Sequence, residues 1–371
     1  MTVQKNIMSR YVKVACLSFL ITACAAIPNN APVQNRPVGK PVTQLPPPPN
    51  SAHQNGSQSS HKGQSNAQNL QQEIFDLWRV FPGKTGISVH SLDEGWTVGQ
   101  RLDDLFPQQS VSKLWVAMTI LDQVDRGKLR LDDEVVITRN DLAVFYQPVR
   151  DKVLREGEVR ESVASLLERA ITQSDNTAND SLLRTAGGPE AVHDFIAKHQ
   201  LGAIRFGPGE RLLQSGIAGL TWKQEYSIGR NFYTARANLS YDKRKSALDN
   251  YLADPIDGAS PRAISLALAK LSRGKLLSYG SSSYLLDLLN RVRSGPNRLK
   301  GGVPSGWSIG HKTGTGQDLP PISTGYNDVG ILVAPDGRQY MVAVMLGDTT
   351  ASIPERMQLM QSVVRAIVRN H

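Results

Sequence analysis

The sequence runs to 371 residues, 40% apolar and 20% charged, which leaves room for a substantial core and excludes a fibrous or wholly disordered chain. The formal charge is +9, of which Lys5, Arg10 and Lys13 supply three, and no basic stripe interleaved with aromatics suggests nucleic acid as a partner. Cys16 and Cys24 are the only cysteines, so no disulfide staples the body, and seven scattered histidines without an H-E-x-x-H spacing speak against a zinc hydrolase; no metal or other cofactor is expected.

The three N-terminal cations precede an apolar run from Val14 to Ile21, the pattern of a secretory signal over residues 1–23 and too short to span a bilayer. The run ends in Leu20-Ile21-Thr22-Ala23-Cys24, which resembles a bacterial lipobox. That resemblance implies lipidation of Cys24, a periplasmic location and, with Ala25 following, sorting to the outer membrane. Residues 24–69 are rich in Pro, Gln, Asn, Ser and Gly and bury too little to offset ordering entropy, so they read as a disordered tether reaching roughly 35–40 Å.

The folded domain is expected over 70–371. Leu70, Ile74, Leu77 and Trp78 predict an amphipathic helix over 68–81, and the alternating stretches 86–92 and 95–100 predict a hairpin around Asp93-Glu94-Gly95. Near the other end, 306–311, 325–333 and 339–346 read as strands, with a turn at Pro335-Asp336-Gly337. A last helix opens on the capping box Ser352-Ile353-Pro354-Glu355. The middle, about 133–305, reads as helical. The expected fold class is α+β, an α-β sandwich: a five-stranded antiparallel sheet built from both termini and flanked by helices, with an all-helical second lobe and a cleft at the seam.

Ser110-Val111-Ser112-Lys113 leads into an almost wholly apolar helix, Leu114 to Leu121, so Ser110 and Lys113 share one face at a buried helix start. Free N–H groups there can stabilise an oxyanion, and a lysine in such a place gives up its charge readily and can take the serine proton. The spacing alone is weak, since it recurs at Ser59, Ser240 and Ser272. Only Ser110 is followed by Ser174-Asp175-Asn176 and then Lys312-Thr313-Gly314-Thr315-Gly316.

The three motifs in this order resemble the class A β-lactamase-like, penicillin-recognising serine hydrolases, over about residues 70–371. The resemblance implies that Ser110 is the nucleophile, with Lys113 assisting proton removal. Ser174, bridged toward Lys312, passes a proton to the leaving nitrogen, and Asn176 holds the substrate's side-chain amide. The backbone N–H groups of Ser110 and Thr315 form the oxyanion hole. Lys312, Thr313 and Thr315 meet the substrate carboxylate, and Gly314 leaves room along the strand edge. Tyr146 resembles the cleft's aromatic wall, against the alternative of simple packing.

The likeness weakens after Ser174. The family's water-activating Glu stands in E-x-x-L-N, whereas here Glu210-Arg211-Leu212-Leu213-Gln214 ends in Gln, and the family's loop arginine is absent. An unusual stretch, 215–255, follows, rich in aromatics and cations; it reads as a surface elaboration or as a remodelled cleft wall. Three functions stand open: a β-lactamase opening the β-lactam amide and deacylating with water, a D,D-peptidase acting on peptidoglycan stem peptides, and a penicillin-recognising sensor without turnover. A monomer is expected.

Overall fold

The computed structural model describes residues 56–371; the expected signal segment, Cys24 and the first part of the expected tether lie outside the described residues. The first helix, Gly56–Val80, starts twelve residues before the expected 68. The reason is physical. Among the side chains described, Ala67, Leu70 and Ile74 are the first that are buried, and the sequence ahead of them is polar with no periodic apolar signal. Once packing nucleates a helix, extending it costs little.

The sheet runs in the order 97–100, 85–91, 339–349, 322–333, 308–314, all antiparallel, so the two chain ends interleave as expected. A two-residue strand, Asp318–Leu319, adds a sixth member beside 322–333. Strand 339–349 shows why the sheet sits at the centre. Tyr340, Val342, Val344 and Leu346 face one side and pack with Leu359, Met360, Val363 and Val364 of the terminal helix and with Leu70 and Ile74. Met341, Ala343 and Met345 face the other side and join the larger core of Trp115, Met118, Ile264 and Leu268. With both faces buried, the strand reads as a continuous apolar run, and its alternation becomes a choice between two cores.

The second lobe is helical around the buried helix Lys113–Asp125, but it is not all-helical. Glu134–Thr138 pairs with Glu158–Ser162, and Phe106–Pro107 pairs with Gly258–Ala259. In the first ribbon Val135, Ile137 and Val159 are buried while Glu134, Glu158 and Arg160 are exposed. That is strand alternation over five residues, too short a signal to stand out in a helical region.

Residues 215–255 form a short turn of helix at Gln224–Ser227, then helices Asn231–Ala237 and Tyr241–Ala253. Phe232 packs edge-on against Phe145 at 5.0 Å between centroids, next to Tyr226 and Ala218. Leu248 and Tyr251 pack with Leu213 and Ile217 of the helix that carries Glu210. The stretch therefore abuts the segment bearing Tyr146 and the helix of Glu210.

Candidate active site

Ser110 lies in a tight turn, Gln109–Ser112, that runs into helix 113–125 and packs against edge strand 308–314. The turn requires Gln109 at φ +53°, a conformation that costs a non-glycine residue about 1–2 kcal/mol. Its surroundings hold it there. Gln109 N–H donates to Asp257 Oδ2 at 2.7 Å, and Gln108 Nε2 donates to the carbonyls of Asp257 at 2.7 Å and Arg205 at 2.8 Å. Trp115 Nε1 in turn donates to Gln108 Oε1 at 2.6 Å.

Lys113 is completely buried. Its Nζ donates to Ser110 Oγ at 2.8 Å, to Asn176 Oδ1 at 2.9 Å and to Glu210 Oε1. An ammonium has three hydrogens, and all three are engaged, so the nitrogen is locked between nucleophile and carboxylate. Glu210 is held from behind: its backbone N–H donates to Asp180 Oδ1 at 3.0 Å. Burial, and then the charge of Glu210, push Asp180 up to about 6. Residues from three separate motifs thus meet at one ammonium.

Ser174 adopts the left-handed conformation, φ +61°, where the chain leaves one helix and enters the next at Asn176. Asp175 makes this bend possible as the N-cap of helix 176–186, accepting from Ala178 N–H at 3.0 Å and also from Val149 N–H at 3.2 Å. Its neighbours are thereby turned into the cleft. Lys312 Nζ donates to Ser174 Oγ at 3.1 Å and to the Thr313 carbonyl at 2.9 Å. Burial, and then the positive charge of Lys113, hold Lys312 well below the usual lysine range. An ammonium that parts with its proton so readily is a ready donor through Ser174.

These groups border a cavity of about 420 Å³. Ser110, Ser174, Asn176, Glu210, Thr313 and Thr315 line it, and Tyr146 stands at its wall with 58% of its surface exposed. Asn176 Nδ2 donates to the Val144 carbonyl at 2.9 Å, which leaves its second hydrogen for a substrate carbonyl. Lys312 does not meet the cavity directly; it lies buried behind Ser174 and acts there through its charge and proton. Gly314 also has a different reason from the one expected: a Cβ there would lie 2.3 Å from the Gln108 carbonyl, so the glycine lets the edge strand close on the nucleophile turn. Cys24, the expected lipidation site, lies outside the described residues.

Sequence reasoning missed Arg298. It lies in the irregular segment ahead of the edge strand, outside every motif, so no spacing marks it. The guanidinium donates to Thr315 Oγ1 at 2.6 Å and to the carbonyls of Gly314 at 2.9 Å and Asn327 at 2.7 Å, and it stacks 3.7 Å from the Tyr326 ring centroid. Arg293 and Ser294 line the same wall, and Ser294 Oγ lies 2.7 Å from Thr313 Oγ1. This cationic edge suits a substrate carboxylate next to Thr313 and Thr315. Gln214 was also set aside as a departure from a motif; it lines the cavity and donates to Glu210 Oε2 at 3.3 Å.

A family model described as the beta-lactamase enzyme family matches residues 69–371. The extended-spectrum beta-lactamase PER-1 of Pseudomonas aeruginosa is 31% identical over 248 residues, 67% of this chain and 69% of the relative. Beta-lactamase VEB-1 of the same species is 25% identical over 79% of this chain and 88% of its own. Among solved structures, a beta-lactamase from Chitinophaga pinensis aligns with a TM-score of 0.66 at 27% identity, covering 80% of this chain and 97% of its own.

Proposed function

The chain belongs to the beta-lactamase enzyme family, and from that premise we propose that it is a serine β-lactamase that opens a β-lactam amide through an ester on Ser110 and clears the ester with a water activated by Glu210. The observation that carries this reading is the single ammonium of Lys113 held among Ser110, Asn176 and Glu210.

In acylation Ser110 Oγ attacks the lactam carbonyl carbon while its proton passes to the Lys113–Glu210 pair. The carbon–nitrogen bond breaks as the nitrogen takes a proton from Ser174 Oγ, which Lys312 replenishes; the proton left on the Lys113–Glu210 pair returns to Lys312 through solvent in the cleft, so Glu210 is a carboxylate again before water attacks. Backbone N–H groups at Ser110 and Thr315 receive the developing oxyanion. In deacylation the Glu210 carboxylate takes a proton from water as its oxygen attacks the ester carbon, and Ser110 Oγ leaves and regains a proton. Arg298 and Thr315 are suited to the carboxylate common to β-lactam substrates.

Glu210→Gln tests the reading. The carboxamide cannot accept a proton, so hydrolysis of the ester is slowed far more than acylation, which still has the Lys113 amine; the adduct persists, visible by mass spectrometry, while wild type is free once the substrate is exhausted. A long-lived adduct on wild type as well would instead support a D,D-peptidase. From the lipobox-like sequence we also propose that Cys24 carries lipid and that the enzyme works tethered to the outer membrane on its periplasmic side, as a monomer.

A further inference from the structure

Behind the nucleophile turn lies a buried chain of polar side chains that the reaction above does not use. The last helix of the 215–255 stretch turns Tyr251 inward. Its hydroxyl sits 2.8 Å from Asp257 Oδ1 and 2.7 Å from Gln109 Nε2, and Asp257 Oδ2 accepts the Gln109 N–H. Gln109 Oε1 lies 2.9 Å from Gln214 Nε2, the same nitrogen that reaches Glu210 Oε2. Gln214 Oε1 faces Gln317 Nε2 at 3.1 Å, and that nitrogen also donates to the Gln214 carbonyl at 2.8 Å.

We propose that Tyr251 and Asp257 are positioning residues for Glu210, setting the direction of every hydrogen bond between themselves and the base. Burial pushes the Asp257 carboxyl up to about 6, so at pH 7 and above it is ionised and only accepts; the one hydrogen of Tyr251 then points to Asp257, and the tyrosine oxygen is left to accept from Gln109 Nε2. Gln109 must then turn its carbonyl oxygen to Gln214, and Gln214 must turn its amino group to both Gln109 and Glu210. Gln317 closes the other end, since it offers Gln214 only a donor. Each amide therefore has one permitted orientation, and the outcome is an N–H on Glu210 Oε2 opposite the Lys113 ammonium on Oε1. With both oxygens held by donors, the carboxylate is fixed in place as a base. The inference rests on Glu210 being the deacylating base.

The direction of the chain can be reversed by one atom. In Asp257→Asn the side-chain oxygen stays with the Gln109 N–H, so the new amino group faces Tyr251. The tyrosine hydrogen then turns to Gln109 and Gln109 turns over, so that either two donors meet between Gln109 and Gln214 or Gln214 turns over as well, bringing its carbonyl oxygen against Glu210 and its amino group against the Gln317 donor. The ionisable groups facing Glu210 are Lys113 from the nucleophile helix, Asp180 from helix 176–186, Lys312 from the edge strand, Arg211 beside it, and Tyr251 and Asp257 across the chain. Loss of the Asp257 charge alone would make the Glu210 carboxylate easier to form and move the acid limb of deacylation to lower pH. Reversal of the chain moves that limb to higher pH. The two effects have opposite signs.

The experiment follows acylation and deacylation separately against pH in Asp257→Asn, Tyr251→Phe and Glu210→Gln, using a chromogenic penicillin and stopped flow, with melting curves alongside. Asp257→Asn should slow deacylation roughly ten- to hundredfold, the scale of one hydrogen bond to a charged group, slow acylation by clearly less, so that the ratio of the two rates changes, and raise the acid limb. Tyr251→Phe changes no charge and should shift the limb the same way by less; it carries the test if Asp257→Asn does not fold. A lowered melting point with unchanged limb and unchanged ratio of the two rates overturns the proposal, as does a limb that moves down. If Glu210→Gln clears its adduct at the wild-type rate, the reading of Glu210 itself has failed, whatever the other two variants do.

Discussion

At the scale of single residues, the site is decided by a few buried charges whose neighbours leave them little freedom. Lys113 touches both the nucleophile and Glu210, so its removal has two effects. Lys113→Ala should slow acylation by ~10²–10⁴, the usual contribution of a positioned acid or base, read as the rate of labelling by a fluorescent penicillin. It should also lower stability by roughly 3–5 kcal/mol, because Glu210 is left buried without its partner. Labelling at the wild-type rate would remove Lys113 from the proton path. Asp180 gives a pH dependence of known sign. Its carboxyl is raised from 3.8 to about 6, so its contribution to stability is fully present below pH 3.8 and is lost as pH rises through 6. Asp180→Asn has no such titration, so the wild type's advantage over it should be larger at pH 4 than at pH 7, by ~3 kcal/mol at most. Urea midpoints of both proteins at the two pH values measure this, and a gap that widens toward pH 7 contradicts it.

At the scale of elements, the 215–255 stretch acts on the cleft through its packing. Phe145 lines the cavity at φ +61°, an uncommon conformation for a bulky residue, and Phe232 and Tyr233 are packed against it. Phe232 belongs to a small cluster with Val144, Ala218 and Tyr226, set apart from the two larger cores. Phe232→Ala should forfeit about 3–5 kcal/mol of packing, and the loss should stay local, because the cluster can open without the main core. Amide exchange should quicken over 222–237 and at 144–146, and KM should rise while the acylation rate constant at saturation holds. Unchanged KM together with unchanged exchange at 144–146 would assign the helix to the surface alone. Arg236 makes a further tie, donating to the Asp318 carbonyl beside the edge strand.

At the scale of the whole molecule, the catalytic body and its address are separate questions. On one face of the sheet the last helix meets the first: Arg369 pairs with Glu73, and Asn370 Nδ2 donates to Glu73 Oε1 at 2.9 Å. If Cys24 carries the lipid, Cys24→Ser should move the protein from the membrane fraction to the soluble periplasm and leave its kinetics unchanged. Wild-type protein that is soluble and begins at another residue would end the lipid-anchor proposal.

The residues to which we assign the chemistry could be picked out in the sequence because each is bound to local structure. Ser110 and Lys113 are one helical turn apart, Asp175 caps a helix between Ser174 and Asn176, and Lys312, Thr313 and Gly314 follow one another on a strand. The sheet's five main strands were legible for a similar reason: 86–92 alternates, and 339–346 is a short apolar run that follows the turn Pro335-Asp336-Gly337 and is too short for a core helix. Only the tertiary structure decided how these pieces meet. Arg298 reaches partners only 16 to 29 positions away, but across irregular chain that has no period to read. The pairing of 85–91 with 339–349 and the burial of Lys312 behind Ser174 depend on contacts between segments more than a hundred residues apart. So does the chain from Asp257 to Glu210: Tyr251 and Gln109 are 142 positions apart, and Gln214 and Gln109 105. Hydrogen bonds between such distant positions leave no periodicity in the sequence, because their direction and their partners are set by the packing that brings them together.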